Sequence, residues 1–199
     1  MIRGLPSLPA IFAAIAMLAV SPMTPASEFR SSDITGQGYG DAIPALVDQD
    51  GRARSRDDFK GHVTILLFGF THCPDLCPTA LSNMSEVLDR LGDDRDRVQI
   101  AFITVDPERD TTAVLRDYMS AFGPNYLGLT GKPDAIRKAA RTFKVFFQKI
   151  PLADGDYTMD HSAVVYILDP QARVRLMFAA NHRLEDVVHD ILKLLSEAS

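Results

Sequence analysis

The sequence predicts a single α/β domain built around a central mixed sheet. Two nearly continuous apolar runs, at residues 62–70 and 98–105, are typical of strands that are buried on both faces. Helically spaced apolar residues follow these runs, and strands that alternate with helices indicate the α/β class. With 199 residues, of which 46% are hydrophobic and 24% charged, the chain is long enough to bury one sizeable core.

The other elements are predicted from apolar periodicity and from turn residues. A short strand and turn at 43–51 begin an N-terminal hairpin. The predicted helices lie at 78–91, 111–122, 133–142 and 183–195, and two further strands lie at 163–168 and 174–178. Residues 143–151 and the turn at 154–156 predict a hairpin inserted before these last strands. This hairpin is either an exposed element for partner docking or a strand pair with one face in the core.

Residues 1–26 predict a secretory signal peptide or an N-terminal membrane anchor. A short basic start, an apolar stretch at 8–20 and small residues near Ala26 are typical of a cleaved signal, whereas a membrane-spanning helix needs about 20 apolar residues. Residues 27–40 are polar and rich in Gly and Ser, which predicts a linker with no core residue before Ala42. We therefore expect an exported domain at 41–199, periplasmic or at the periplasmic face of the inner membrane. Membrane association is expected only if the N-terminus stays uncleaved.

The charge of the chain argues against a nucleic-acid partner. The formal net charge is −5, and the sequence contains no run of Lys or Arg. Phosphate binding needs a clustered basic footprint, so we expect no nucleic acid among the partners.

The sequence contains two cysteines, Cys73 and Cys77, between a predicted buried strand and a predicted helix. The unpaired N–H groups and positive dipole end of a helix favour a thiolate there, and hence nucleophilic attack or metal ligation. Three residues separate the cysteines, instead of the two of a C-x-x-C redox motif, which leaves redox chemistry and metal binding both open. A purely structural disulfide closing so short a loop would contribute only about 2 kcal/mol.

His161 is the candidate for a third ligand. It lies far downstream, just before an apolar strand, and in this fold it can face the turn that carries the cysteines. Two thiolates and one imidazole form a soft site that suits Cu(I) and, with a further oxygen ligand, Cu(II). Zinc is the alternative, but a structural zinc site usually has four protein ligands and the chain has no third cysteine, so copper is favoured.

Three further motifs are Thr71-His72-Cys73-Pro74-Asp75-Leu76-Cys77-Pro78, Val105-Asp106-Pro107-Glu108-Arg109-Asp110 and Asp160-His161-Ser162. Together they resemble a known family, the Sco/SenC copper metallochaperones of cytochrome c oxidase assembly. Their order and spacing match over about residues 40–196. The resemblance implies a thioredoxin-like fold with helices flanking the sheet. It also implies one copper ion per chain, held by Cys73, Cys77 and His161.

The resemblance further implies a function and partners. These are delivery of copper to the copper A site of cytochrome c oxidase subunit II, or reduction of that subunit's cysteines by a redox-active Cys73–Cys77 pair that forms a disulfide. Another copper chaperone as donor and a thioredoxin-like reductant are further expected partners. Asp106 is expected near the copper loop, where it supports the ligands or takes part in transfer. The alternative for Asp106 is a turn-forming role before Pro107.

Two enzymatic functions remain as alternatives to a metallochaperone. A thiol-disulfide oxidoreductase or a peroxiredoxin-like peroxidase needs only reactive thiols, whereas a metal chaperone needs the third ligand, His161. A peroxidase would also need an arginine that polarises the peroxide, for which the sequence has no convincing motif. Chaperone and reductase activities are compatible, because the same cysteine pair can serve both at different stages.

Overall fold

The computed structural model describes residue 1 and residues 28–153 and 155–198. Within these residues, eight strands form one mixed sheet, and two more strands form a separate hairpin. No described helix is both long and apolar enough to cross a membrane. The predicted signal peptide or anchor falls almost entirely on residues 2–26, which lie outside the described residues.

The elements alternate along the chain as the α/β class requires. The strands are β1 Ser32–Asp33, β2 Leu46–Asp48, β3 Ala53–Arg54, β4 Val63–Gly69, β5 Val98–Thr104, β6 Tyr126–Thr130, β7 Phe147–Pro151, β8 Tyr157–His161, β9 Val164–Leu168 and β10 Val174–Ala179. The helices are α1 Leu76–Leu91, α2 Thr112–Ser120, α3 Pro133–Thr142 and α4 Leu184–Glu197. All four predicted helices and the two apolar central strands are confirmed.

Strand β4 lies at the centre of the sheet, whose order is β1-β10-β9-β4-β5-β6-β2-β3. It pairs in parallel with β5 and antiparallel with β9, and all seven of its residues are buried. Burial on both faces explains why its sequence is apolar without alternation. The loop with the two cysteines therefore leaves the sheet from a central, fully buried strand.

Helix α1 directly follows that loop and packs against α4. Its buried side chains are spaced at helical intervals and form one stripe: Cys77, Ala80, Leu81, Met84, Val87, Leu88 and Leu91. Gly92 ends the helix with a φ of 58°, a conformation that is readily available to glycine. Cys77 is thus both a site residue and the first member of the core-facing stripe.

Strand β6 was not predicted from the sequence. It is a five-residue strand that contains Gly128 and is preceded by a turn, a pattern that is typical of a loop. Gly128 is there because α2 crosses closely: a Cβ atom at this position would lie 2.9 Å from Met119 Cγ and 3.2 Å from Leu115 Cβ. A glycine required by close helix packing weakened the strand signal.

The expectation that no core residue precedes Ala42 is wrong. Ile34 is buried in the core, and β1 pairs with β10 as the edge strand of the sheet. The backbone N–H groups of Arg30 and Ser31 donate to the carboxylate of Asp190 on α4, at 2.9 and 2.8 Å. Backbone hydrogen bonds hold this segment, and these leave no periodic signal in a polar sequence.

Asp190 gives a testable prediction about stability. Burial alone would raise the pKa of its carboxyl, but hydrogen bonds from Arg30, His189 and Ser31 hold the pKa below its usual value. The stabilisation is therefore present above the unfolded pKa of about 3.9 and is lost as pH falls through the lower folded pKa. Asp190→Asn is expected to cost about 1–3 kcal/mol at pH 7, measured by urea denaturation, and less at pH 3. Asp186→Asn, at a more exposed ion pair with Arg30, is the control. A wild-type-like Asp190→Asn variant at pH 7 would contradict the prediction.

Strands β7 and β8 form the predicted inserted hairpin. Met159 of β8 is buried against the domain, whereas Gln148 and Lys149 of β7 are exposed. The hairpin therefore has one face in the core, which is one of the two alternatives that the sequence left open. A docking role for its exposed face stays a prediction.

Candidate metal centre

Cys73 and Cys77 lie on the loop and first helical turn that follow β4. Cys73 N–H donates to the carbonyl of Phe70 at 3.2 Å, which bends the chain directly after the strand. Cys77 N–H in turn donates to Cys73 Sγ at 3.4 Å. Cys73 is partly exposed and Cys77 is buried, and both are free thiols. The loop therefore presents one accessible and one enclosed sulfur.

His161 is the last residue of β8 and faces the buried sulfur. Its Nε2 lies 3.9 Å from Cys77 Sγ. Its Nδ1–H donates to the carbonyl of Ser162 at 3.1 Å, so Nε2 keeps its lone pair free for a proton or a metal. The ring stands edge-on to Phe70, with 6.0 Å between centroids. The structure thus brings the predicted third ligand to the cysteine pair across 84 residues of sequence.

The three side chains line one open cavity of about 260 Å³. Most of its other lining is apolar and includes Phe70, Ala80 and Val165. Leu76, directly before Cys77, is 66% exposed at this rim. The two sulfurs and the imidazole therefore line an open cavity whose walls are mostly apolar.

Burial sets the protonation of the two inner groups. It raises the pKa of the Cys77 thiol to about 12, and the neighbouring Cys73 adds to this effect. Burial also lowers the pKa of His161, which keeps the imidazole neutral. The expectation that the helix start favours a thiolate is therefore wrong for Cys77, because desolvation outweighs the helix dipole. A metal ion must displace the Cys77 proton in order to bind.

Gly69, the last residue of β4, makes room for the Cys77 sulfur. A Cβ atom at this position would lie 2.8 Å from Cys77 Sγ and 2.6 Å from the Phe102 ring. Both neighbours are buried side chains. The glycine is therefore required by the position of the thiol.

Gly69→Ala is expected to destabilise the fold by about 1–3 kcal/mol and to displace the Cys77 thiol. Denaturant unfolding and the rate of Cys77 alkylation measure the two effects. Gly131→Ala is the control, since its Cβ would meet nothing closer than 3.4 Å. Equal stability and equal alkylation rates in the two variants would contradict the steric argument.

Comparison with models of protein families shows to which family this chain belongs. The SCO1/SenC family model matches residues 44–196, which is more than half of the chain. The chain belongs to the SCO1/SenC family. The resemblance predicted from the three motifs is thereby confirmed.

Individual members of the SCO1/SenC family agree with this assignment. Protein SCO1 homolog 1, mitochondrial, of Arabidopsis thaliana is 36% identical over 151 residues, covering 75% of this chain and 45% of the relative. The structure of Bradyrhizobium japonicum ScoI with copper bound is 43% identical, with a TM-score of 0.70, and covers 75% of this chain and 96% of that one. Yeast Sco1 with copper bound is 33% identical, with a TM-score of 0.72, covering 80% and 89%. The predicted thioredoxin-like fold is confirmed.

The match spans only part of the curated SCO1/SenC relatives. It covers 45% of the Arabidopsis thaliana protein and 61% of Protein SCO2 homolog, mitochondrial, of Mus musculus. The copper-bound structures, in contrast, are covered almost completely. The solved structures therefore correspond to the domain of this chain, whereas the chain spans only part of the length of the curated relatives.

Asp106 lies in a neighbouring part of this SCO1/SenC domain. Its buried carboxylate accepts hydrogen bonds from Arg109 Nε and, at 3.0 Å, from the Tyr157 hydroxyl. Among the described cavities it lines a second one of about 170 Å³, whereas Cys73, Cys77 and His161 line the first. Its carbonyl also accepts from Arg109 and Asp110 N–H groups, which is the predicted turn-forming role. A part in metal support or transfer stays a prediction.

Asp110 and Arg109 are site-supporting residues to which the sequence analysis assigned no role. The buried carboxylate of Asp110 accepts from Thr71 N–H at 3.0 Å and from the Thr71 hydroxyl at 2.6 Å, next to the cysteine loop. Thr104 donates to the same carboxylate at 2.6 Å. The positions of these residues in the second motif were the available signal, but the spacing alone does not show which segment each side chain reaches.

The chemical types of the three donor groups suit a soft metal ion. Two sulfurs and a neutral imidazole face one cavity, and the imidazole donates its other N–H to a backbone carbonyl, as metal-ligating histidines commonly do. In the described part of the chain, however, no three His, Cys, Asp or Glu side chains are yet close enough together to hold an ion.

Proposed function

We propose that this chain is a copper metallochaperone that binds one copper ion through Cys73, Cys77 and His161. The ion is cargo, delivered to the copper A site of cytochrome c oxidase subunit II. Copper-bound structures of family members at 43% and 33% identity support copper as the metal. The soft donor set of two sulfurs and one imidazole supports both Cu(I) and Cu(II).

One observation carries the proposal: His161 Nε2 faces Cys77 Sγ at 3.9 Å, while its Nδ1–H is fixed on the Ser162 carbonyl. This arrangement presents a lone pair to the sulfur from a distant strand. Thiol-disulfide exchange needs no such imidazole acceptor, whereas a three-coordinate metal site does. The third ligand therefore favours metal binding over redox chemistry alone.

The surroundings of the site support transfer to another protein. Cys73 is partly exposed at the cavity mouth, and the neighbouring Leu76 presents an apolar side chain to solvent. An incoming thiolate of the partner can replace Cys73 as a ligand of the ion while Cys77 and His161 still hold it. Release of cargo in this way needs no unfolding of the domain. Export to the periplasm, a second chaperone as copper donor and a thioredoxin-like reductant complete the proposal.

A thiol-disulfide oxidoreductase that reduces the cysteines of subunit II is the second candidate. The observation that favours it is the hydrogen bond from Cys77 N–H to Cys73 Sγ, at 3.4 Å, which holds the partly exposed sulfur beside the first turn of α1. An accessible first sulfur and a buried second sulfur also suit attack followed by resolution of a mixed disulfide. The same loop serves either function.

Replacement of His161 distinguishes the metallochaperone from the oxidoreductase. The experiment titrates the reduced domain with Cu(I) and then mixes the copper-loaded protein with a soluble fragment of subunit II. We expect wild type to take up and pass on one copper, and His161→Ala to lose tight binding while it still reduces a disulfide in the fragment. Equal copper transfer by both proteins would overturn the three-ligand proposal. Failure of wild type to bind copper, with intact disulfide reduction, would favour the oxidoreductase.

A further inference from the structure

The loop of residues 105–110, between β5 and α2, contacts both halves of the candidate site. We call it the bridging loop. On one side Asp110 holds Thr71 beside the cysteine loop. On the other side Asp106 and Arg109 contact Tyr157, the first residue of β8. One short loop therefore links the backbone that carries the cysteines to the strand that carries His161.

Arg109 is the centre of the contact with β8. Its Nε–H donates to the Asp106 carboxylate, and its Nη1 donates to the Tyr157 carbonyl at 3.0 Å. Its guanidinium carbon lies 3.8 Å from the centroid of the Tyr157 ring, a cation–π contact. The Tyr157 hydroxyl closes the arrangement by donating to Asp106 at 3.0 Å. Tyr157 is thus fixed through its backbone, its ring and its hydroxyl.

Tyr157 and His161 lie on the same strand, so fixing Tyr157 also restricts the position of His161. Residues at i, i+2 and i+4 of a strand share one face, so Tyr157, Met159 and His161 project to the same side of β8. All three contact the domain: Tyr157 at Asp106, Met159 in the core and His161 at Cys77. Tyr157 and His161 lie about 13 Å apart along the strand, at about 3.3 Å per residue.

We propose that Arg109 is a positioning residue for His161. Arg109 holds the start of β8 against the bridging loop. This contact fixes the position of the strand relative to the cysteine loop and its rotation about its own axis, and hence the distance between His161 Nε2 and Cys77 Sγ. Strands β7 and β8 form a hairpin separate from the main sheet, so pairing with the main sheet does not orient β8. The contact between Arg109 and Tyr157 serves this purpose instead. The inference rests on the proposed function only where copper is the readout.

The first test uses the reduced protein without metal. Nuclear magnetic resonance of the His161 imidazole protons reports its edge-on contact with the Phe70 ring. In Arg109→Gln we expect these signals to move toward the shifts of an unstructured histidine, and in Arg109→Lys to move less. Tyr157→Phe, which removes only the hydroxyl contact, is a milder variant should Arg109→Gln fold poorly. Arg116→Gln is the matched control, since Arg116 is an exposed arginine of α2 whose partners, Gln49 and Asp50, directly follow β2.

The second test is a double-mutant cycle with Cu(II) affinity and the Cu(II) absorption spectrum as readouts. Arg109→Gln is expected to weaken affinity about 10–100-fold in wild type and to change the spectrum. In a His161→Ala background the same substitution is expected to have no further effect, because the residue through which Arg109 acts is gone. Equal losses in both backgrounds would show a general structural role and overturn the proposal.

The two proposals fail in distinguishable ways. If wild type binds no copper but the His161 signals still move in Arg109→Gln and not in Arg116→Gln, the proposed function is wrong and the positioning role stands. If wild type binds copper and Arg109→Gln leaves both the His161 signals and the affinity unchanged, the positioning role is wrong and the proposed function stands.

Discussion

Replacing Cys77 with alanine is expected to abolish tight Cu(I) binding by the reduced protein. Loss of groups that merely support ligands typically costs about 10–100-fold in metal affinity, so loss of a ligand is expected to cost more than 100-fold. Cys73→Ala and His161→Ala are expected to act in the same direction, because either change leaves a two-ligand site; loss of Cys73 also removes the charge of a thiolate, whereas loss of the neutral His161 removes only a ligand. Competitive titration against a Cu(I) chelator of known affinity measures the effect.

Matched controls separate ligand loss from general damage. Met84→Leu removes a buried sulfur from the same helix, and His62→Ala removes an imidazole from the residue directly before β4. Neither residue lines the cavity that Cys77 shares with His161. Both controls are therefore expected to keep wild-type affinity. Retention of wild-type Cu(I) and Cu(II) affinity in His161→Ala would show that the ligand set is wrong.

The second large effect is expected on oxidation. A mild thiol oxidant should join Cys73 and Cys77 in an intramolecular disulfide, with the two thiol protons and two electrons passing to the oxidant. A disulfide has no thiolate to donate, so copper binding should be lost and should return on reduction. Thiol labelling and copper content, measured on the same sample before and after oxidation, test this. Full copper occupancy in a fully oxidised sample would refute it.

Much of the fold follows from apolar pattern alone. Strand β4 is buried on both faces, so its unbroken apolar run identified it, and the stripe on α1 from Leu81 to Leu91 gave the helix by its period. The cysteine loop was predictable for the same reason, because it lies between two elements with strong patterns. His161 was placed at the cysteines by fold order and motif resemblance, and the structure brings its Nε2 to the Cys77 sulfur.

The missed features depend on contacts between distant segments. Strand β6 carries Gly128 because α2 crosses it, and residues 30–34 are held by Asp190 and by β10. The high pKa of Cys77 comes from its burial, which the preceding turn does not reveal. The contacts of Arg109 with Tyr157 join residues 48 positions apart. None of these has a local signature in the sequence.

X-ray absorption spectroscopy at the copper edge of the reduced, Cu(I)-loaded domain measures the ligand set of the bound ion. We expect one copper per chain with two sulfur ligands and one imidazole nitrogen. In His161→Ala the nitrogen contribution should disappear while both sulfurs remain. A spectrum with sulfur ligands alone in wild type, or one unchanged by the loss of His161, would contradict the three-ligand site on which the proposed function depends.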